Sequence, residues 1–172
     1  KYYSAGNAQE LTQAMGQATG LGTGAPVTNP SSPAVRPVVN LVLDASNSMW
    51  GQIQGRAKID IARDSIRTLL SSWDPNADLG LIAYGHNRPA DCSDIESLMK
   101  VAPLDANAFN TLVGNLTPKG KTPLTEAVRR AAKELALTDR PASVILFSDG
   151  IETCGGDPCS LAQELKAQGV NF

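Results

Sequence analysis

The stretch Asp44-Ala45-Ser46-Asn47-Ser48 sets one carboxylate and two hydroxyls at alternate positions. Residues spaced by two, in a loop leaving a strand, can turn their oxygens toward one point. Two further segments carry matching chemistry. Gly120-Lys121-Thr122-Pro123-Leu124 places a hydroxyl just ahead of a helical pattern, and Ser148-Asp149-Gly150 places a carboxylate at a tight turn. Asp44, Ser46, Ser48, Thr122 and Asp149 are therefore a candidate metal set of two carboxylates and three hydroxyls. Hard oxygen donors suit Mg²⁺, or alternatively Mn²⁺ or Ca²⁺, and are poor for zinc. Two carboxylates neutralise a divalent ion and leave it receptive to an acidic group from outside. No nucleophile–base pair, Gly-rich phosphate loop or second metal cluster is evident in the sequence.

The elements that must position these residues follow from hydrophobic patterning. Val38–Leu43 is a nearly continuous apolar run ending at Asp44, and Ser143–Ser148 is another ending at Asp149, as expected of buried parallel strands. Leu79–Tyr84 predicts a third buried strand, and Ile95–Val101 a poorly alternating strand at the sheet edge. Helices are predicted over Arg56–Ser72, over Asp105–Leu116 with Asp105 as N-cap, and over Pro123–Leu137. A last helix spans Pro158–Ala167 behind Asp157, and Gly169–Phe172 begins one more strand. Alternating strands and helices predict an α/β fold, a doubly wound and mainly parallel sheet with helices on both faces. Ligands in such sheets bind beyond the carboxyl ends of the strands, where Asp44 and Asp149 fall.

The chain divides into residues 1–18, a strand–helix segment, 19–37, a Gly/Pro/Ser linker, and 38–172, the α/β body. With 172 residues, 42% of them hydrophobic and 19% charged, it can bury a core and is not a disordered polymer. A balance of 15 basic against 17 acidic residues provides no footprint for nucleic acid or an anionic membrane. No apolar run reaches the roughly 18 residues of a membrane span. Lys1-Tyr2-Tyr3-Ser4 lacks the apolar core of a signal peptide, so any export signal is expected to have been removed already.

Taken in order, D-x-S-x-S at Asp44, Thr122 in G-K-T-P-L and Asp149 in S-D-G resemble the metal-ion-dependent adhesion site of von Willebrand factor type A (VWA) domains, over residues 38–172. The segments Tyr84-Gly85-His86, Asp91–Glu96 and Ile151–Cys159 are similar to a bacterial, extracytoplasmic branch of that family. The resemblance implies a non-enzymatic domain in the periplasm, at the cell surface or secreted. A divalent cation, Mg²⁺ first, would be held by Asp44, Ser46, Ser48 and Thr122, with Asp149 acting directly or through water. Its partner would be a protein offering an Asp or Glu. In that branch the middle residue of the motif is usually Gly; here it is Asn47, the best non-Gly substitute if the loop needs a positive φ.

Four residues are candidates for the ligand rim: Asn47, Trp50, His86 and Lys121. Each has a plainer reading. Trp50, with Met49, can pack the start of the next helix, His86 can be a hydrogen-bonded loop residue, and Lys121 can be a solvated loop lysine. Cys92, Cys154 and Cys159 favour an oxidising compartment, while zinc lacks a fourth ligand at suitable spacing. Relatives in the resembled branch carry a fourth cysteine in a later helix. This implies a bridge from Cys92 to Cys154 or Cys159; a local Cys154–Cys159 bridge with Cys92 free is the alternative.

Residues 1–18 resemble the closing strand and last helix of the same fold, which is thus expected to be incomplete or permuted at its C-terminal strands. A tandem-domain fragment, a permuted domain and a chain whose missing middle lies elsewhere are all compatible, as is self-association by segment exchange. A rival function is a Mg²⁺-dependent phosphohydrolase with Asp44 as nucleophile. It is disfavoured because the residue two positions on is Ser46, where such enzymes usually place an acid. A structural envelope module with an unused metal site is the third reading.

Overall fold

The computed structural model describes residues 35–136 and 138–168. The expected segment 1–18, most of the linker 19–37 and the strand at Gly169–Phe172 lie outside the described residues.

Among the described residues four strands form one sheet: β1 (Val38–Asp44), β4 (Asp78–Tyr84), β5 (Ile95–Pro103) and β6 (Ala142–Phe147). Their order is β5-β4-β1-β6, with β1 parallel to both β4 and β6 and β5 antiparallel at the edge. β1 and β4 are buried along their whole length, and each is apolar on both faces apart from Asn40 within β1 and the terminal Asp44 and Asp78. The alternation of β1 divides its side chains between two cores. Val39, Leu41 and Leu43 join Ile59, Ile66 and Leu69 of helix α1 (Lys58–Ser71) and Phe109 of helix α2 (Ala106–Asn115). Val38 and Val42 join Val128 and Leu135 of helix α3 (Leu124–Ala136) and Leu161 of helix α4 (Pro158–Ala167). The expected doubly wound, mainly parallel arrangement is the one observed among the described residues.

Local signals set several boundaries. Asp105 accepts from the amides of Asn107 and Ala108 to cap α2, and Asp157 accepts from those of Cys159 and Ser160 to cap α4. One expectation is corrected. The helix expected from Arg56 starts at Lys58, because β2 (Gln52–Ile53) and β3 (Arg56–Ala57) pair as a small antiparallel hairpin. Its two-residue loop, Gln54-Gly55, has positive φ at both positions, which matches the twist of a tight hairpin.

At the amino ends of the strands, Asp78 is clamped by two arginines. Arg36 Nη2 lies 2.8 Å from its Oδ1 and Arg140 Nη2 lies 2.6 Å from its Oδ2. Burial works against the charge, yet Arg140 and Arg36 hold the Asp78 carboxyl below its usual range. The opposite, carboxyl end of the sheet carries the candidate site. There β1 ends between β4 and β6, the region of such sheets where ligands bind.

Candidate functional site at the carboxyl ends of the strands

Asp44 is the last residue of β1 and is fully buried. Its Oδ1 accepts the Ser46 amide at 2.7 Å and its Oδ2 accepts the Ser148 hydroxyl at 2.7 Å. A buried carboxylate held by donors on both oxygens is fixed in direction and stays polar. Ser46 and Ser48 lie 3.0 Å apart through their hydroxyl oxygens, and Ser48 donates to Asp149 Oδ1 at 2.8 Å. Asp149 Oδ2 receives the ammonium of Lys58, the first residue of α1. Tyr84 closes the floor, its hydroxyl 3.2 Å from Ser148 Oγ. Burial first, and then the Asp44 carboxylate, push the Tyr84 phenol well above its usual range, so it remains a neutral donor.

Three loops are stitched together beneath these side chains. Asn47 N donates to Gly120 O at 3.0 Å, and Gly120 N donates to Gly85 O at 2.8 Å. Gly85 has φ +71°, and a methyl there would meet Lys121 O at 2.6 Å and Ser46 Cα at 2.9 Å. Only glycine allows that approach. Thr122 is nearly buried; its amide donates to Thr153 Oγ1 at 2.8 Å, and its carbonyl accepts the Thr153 amide at 3.2 Å. Glu152 then secures the start of α3, accepting the Thr125 amide at 2.8 Å and the Cys154 amide at 2.7 Å. Burial would raise the Glu152 carboxyl, but these amides hold it below its usual range.

The side chains of three segments meet beside Gly150. A methyl added at Gly150 would lie 3.5 Å from Asp44 Oδ2, from Ser48 Oγ and from Thr122 Cγ2. Thr122 thus turns its methyl to that space, and a rotation about its Cα–Cβ bond exchanges methyl for hydroxyl. Among the described residues no three His, Cys, Asp or Glu side chains gather as a metal cluster. The donor set is instead two carboxylates with hydroxyls, and its hardness and the space beside Gly150 fit a small hard cation. Asp44, Ser46, Ser48, Thr122 and Asp149 would be the residues to hold it.

The family model of the von Willebrand factor type A domain matches residues 39–152. The chain belongs to the VWA family. The Bacillus subtilis protein YwmD is 31% identical over 142 residues, covering 77% of this chain and 63% of YwmD. This VWA chain therefore spans a little under two thirds of that relative's length. Among solved structures, a von Willebrand factor type A protein from Catenulispora acidiphila superposes with a TM-score of 0.62 at 18% identity, over 80% of this chain and 32% of that one. The vWF domain of the type V pili tip protein Mfa5 from Porphyromonas gingivalis gives 0.56 at 21% identity, over 70% and 40% respectively.

The four candidate rim residues are distributed unevenly in this VWA domain. Asn47 is exposed, but its φ is not positive, since it lies in the 3-10 turn Asn47–Trp50. Asparagine is therefore accommodated there without a left-handed backbone. Met49 is buried, whereas Trp50 is half exposed, its indole N–H donating to Pro118 O at 2.9 Å. His86 is buried, with Nε2 3.1 Å from Glu96 Oε2 and Nδ1 without a hydrogen-bond partner among the described residues. Lys121 is exposed. Cys92 and Cys154 form a disulfide, and Cys159 is free and exposed.

Sequence reasoning missed Lys58, Ser148, Glu152 and Ile151. Ser148 opens the S-D-G motif and Glu152 follows it by two residues, and their polar character close to Asp149 was the one signal for them. Ile151, 87% exposed beside the same motif, was legible as an apolar residue in a polar turn. Lys58 carried no local signal, because its partner is 91 residues away.

Proposed function

We propose that this VWA domain is a protein-binding module for adhesion or interaction. A divalent cation held by Asp44, Ser46, Ser48, Thr122 and Asp149 would be completed by an Asp or Glu of the partner. The observation that carries this reading is the convergence of Asp44 Oδ2, Ser48 Oγ and the Thr122 methyl carbon Cγ2 at 3.5 Å from one point beside Gly150. A bound cation supplies a positive centre for an incoming carboxylate. The chain's own residues orient the donors, and the buried Asp44 keeps them fixed. Exposed Trp50 and Ile151 flank the site as an apolar rim that would shield the carboxylate contact from water.

Binding rather than catalysis is supported by the state of Asp44, whose two oxygens are both engaged by donors from Ser46 and Ser148. A cell-surface or otherwise extracytoplasmic setting is supported by the Cys92–Cys154 disulfide and by the likeness to the Mfa5 pili tip domain. No helix among the described residues is long and apolar enough to cross a membrane.

The test is thermal unfolding with Mg²⁺ or Mn²⁺ and with EDTA, on wild type, Asp44→Ala and Thr122→Ala. A cation-dependent rise in Tm that EDTA reverses and both variants lose supports the reading; its absence from wild type overturns it. Turnover of an aryl phosphate abolished by Asp44→Asn would replace it with the phosphohydrolase reading.

A further inference from the structure

Lys58 opens α1, and its ammonium reaches across to Asp149 Oδ2 at the end of β6. A cation in the first turn of a helix opposes the helix dipole, so this placement does nothing for α1 itself. Asp149 as a residue is exposed, but the paired side chains partly cover one another, that of Lys58 being 28% exposed and that of Asp149 12%. Room for it is built into the backbone. A methyl at Gly51 would come within 3.2 Å of Lys58 Cε and 3.3 Å of its Nζ, and Lys58 N donates to Gly51 O at 2.9 Å. Asp60 in the first turn of α1 turns instead to Arg63, at 2.7 Å, and leaves the Lys58 charge for Asp149.

The consequence is electrostatic. Asp44 and Asp149 alone would neutralise a divalent ion, but with the ammonium counted they fall one negative charge short. The ammonium therefore repels an incoming cation. Once a cation is in place, the same ammonium leaves the cluster with a net positive charge that favours a carboxylate from outside.

We propose that Lys58 is a built-in counter-ion of this site that weakens cation binding and strengthens the hold of the loaded site on an acidic group. This rests on the cation reading above and names a residue that controls it. Lys58 also occupies Asp149 Oδ2 and leaves Oδ1, with the Ser48 hydroxyl, as the oxygen nearest the donor cluster.

The experiment is calorimetric titration of Mn²⁺ into the full chain as wild type, Lys58→Met, Lys58→Gln and Lys58→Arg, with circular dichroism to verify folding. Removing the charge should tighten Mn²⁺ binding about tenfold, while Lys58→Arg stays near wild type. Two neutral variants of different polarity keep the test valid if one is poorly folded. Relaxation of acetate methyl protons by the Mn²⁺-loaded proteins should show weaker acetate binding in the neutral variants. Mn²⁺ affinity in Lys58→Met and Lys58→Gln that equals or falls below wild type overturns the assignment of Lys58 while leaving the cation site standing. If neither wild type nor the neutral variants bind Mn²⁺, the cation reading itself fails, and Lys58 with it.

Discussion

Ser148 Oγ donates to Asp44 Oδ2 at 2.7 Å, tying the end of β6 to the end of β1 across 104 residues of sequence. The acceptor is a fully buried carboxylate, so the bond is charge-assisted and its loss leaves an oxygen without a donor. Ser148→Ala is expected to lower stability by about 1–2 kcal/mol in urea unfolding. An unchanged midpoint would show that water replaces the hydroxyl without cost.

Gly150 stands where a methyl would touch three site residues at 3.5 Å, which is ordinary van der Waals contact, and its φ is not positive. Gly150→Ala should therefore fold with a Tm close to wild type in EDTA. The added methyl fills the space between the donors, so affinity for Mn²⁺ should fall by about tenfold or more. Equal Mn²⁺ affinity in the two proteins would place the cation elsewhere.

Glu152 joins the loop after β6 to the start of α3 through the amides of Thr125 and Cys154. Its carboxyl is held below its usual range, burial opposing and those amides prevailing. Its contribution is thus fully present above the unfolded value of about 4.3 and is lost as pH falls through the lower folded value. Glu152→Gln should cost about 1 kcal/mol at pH 7, as removal of a helix cap does. The gap between wild type and variant should then close below about pH 4 in a urea series. A gap that widens on acidification would contradict the assignment.

The Cys92–Cys154 bridge closes a loop across a sequence separation of 62, binding the segment after β4 to the segment after β6. Loops of that length restrict the unfolded chain substantially, and removal of the bridge by Cys92→Ala with Cys154→Ala should cost about 2–4 kcal/mol. Wild type treated with dithiothreitol should unfold at a temperature close to that of the double variant. A much smaller drop would show that the two loops are held by their other contacts.

Much of this protein is legible from local sequence. Buried parallel strands are continuous apolar runs, so β1, β4 and β6 are recognisable from residue type alone. Asp105 and Asp157 act as N-caps through amides two and three residues on, a purely local device. The candidate donors Asp44, Ser46, Ser48 and Asp149 declare themselves by chemistry and by position at or just after strand ends, and Thr122 by its place just ahead of a helix.

Other features are decided only by the fold. Whether Cys92 meets Cys154 or Cys159 depends on how the loops after β4 and β6 approach one another, and spacing along the chain cannot settle that. The Gln54-Gly55 turn delays α1 to Lys58 because cross-strand pairing wins over a helical pattern that would otherwise begin two residues earlier. Asn47 needs no positive φ, since its loop winds into a 3-10 turn against Gly120. The ammonium of Lys58 reaches Asp149, and the hydroxyl of Ser148 reaches Asp44, only because strand order puts β6 beside β1 and α1 against their ends. Residue type determines which groups can donate oxygen or charge; the crossovers between parallel strands determine which of them come within reach.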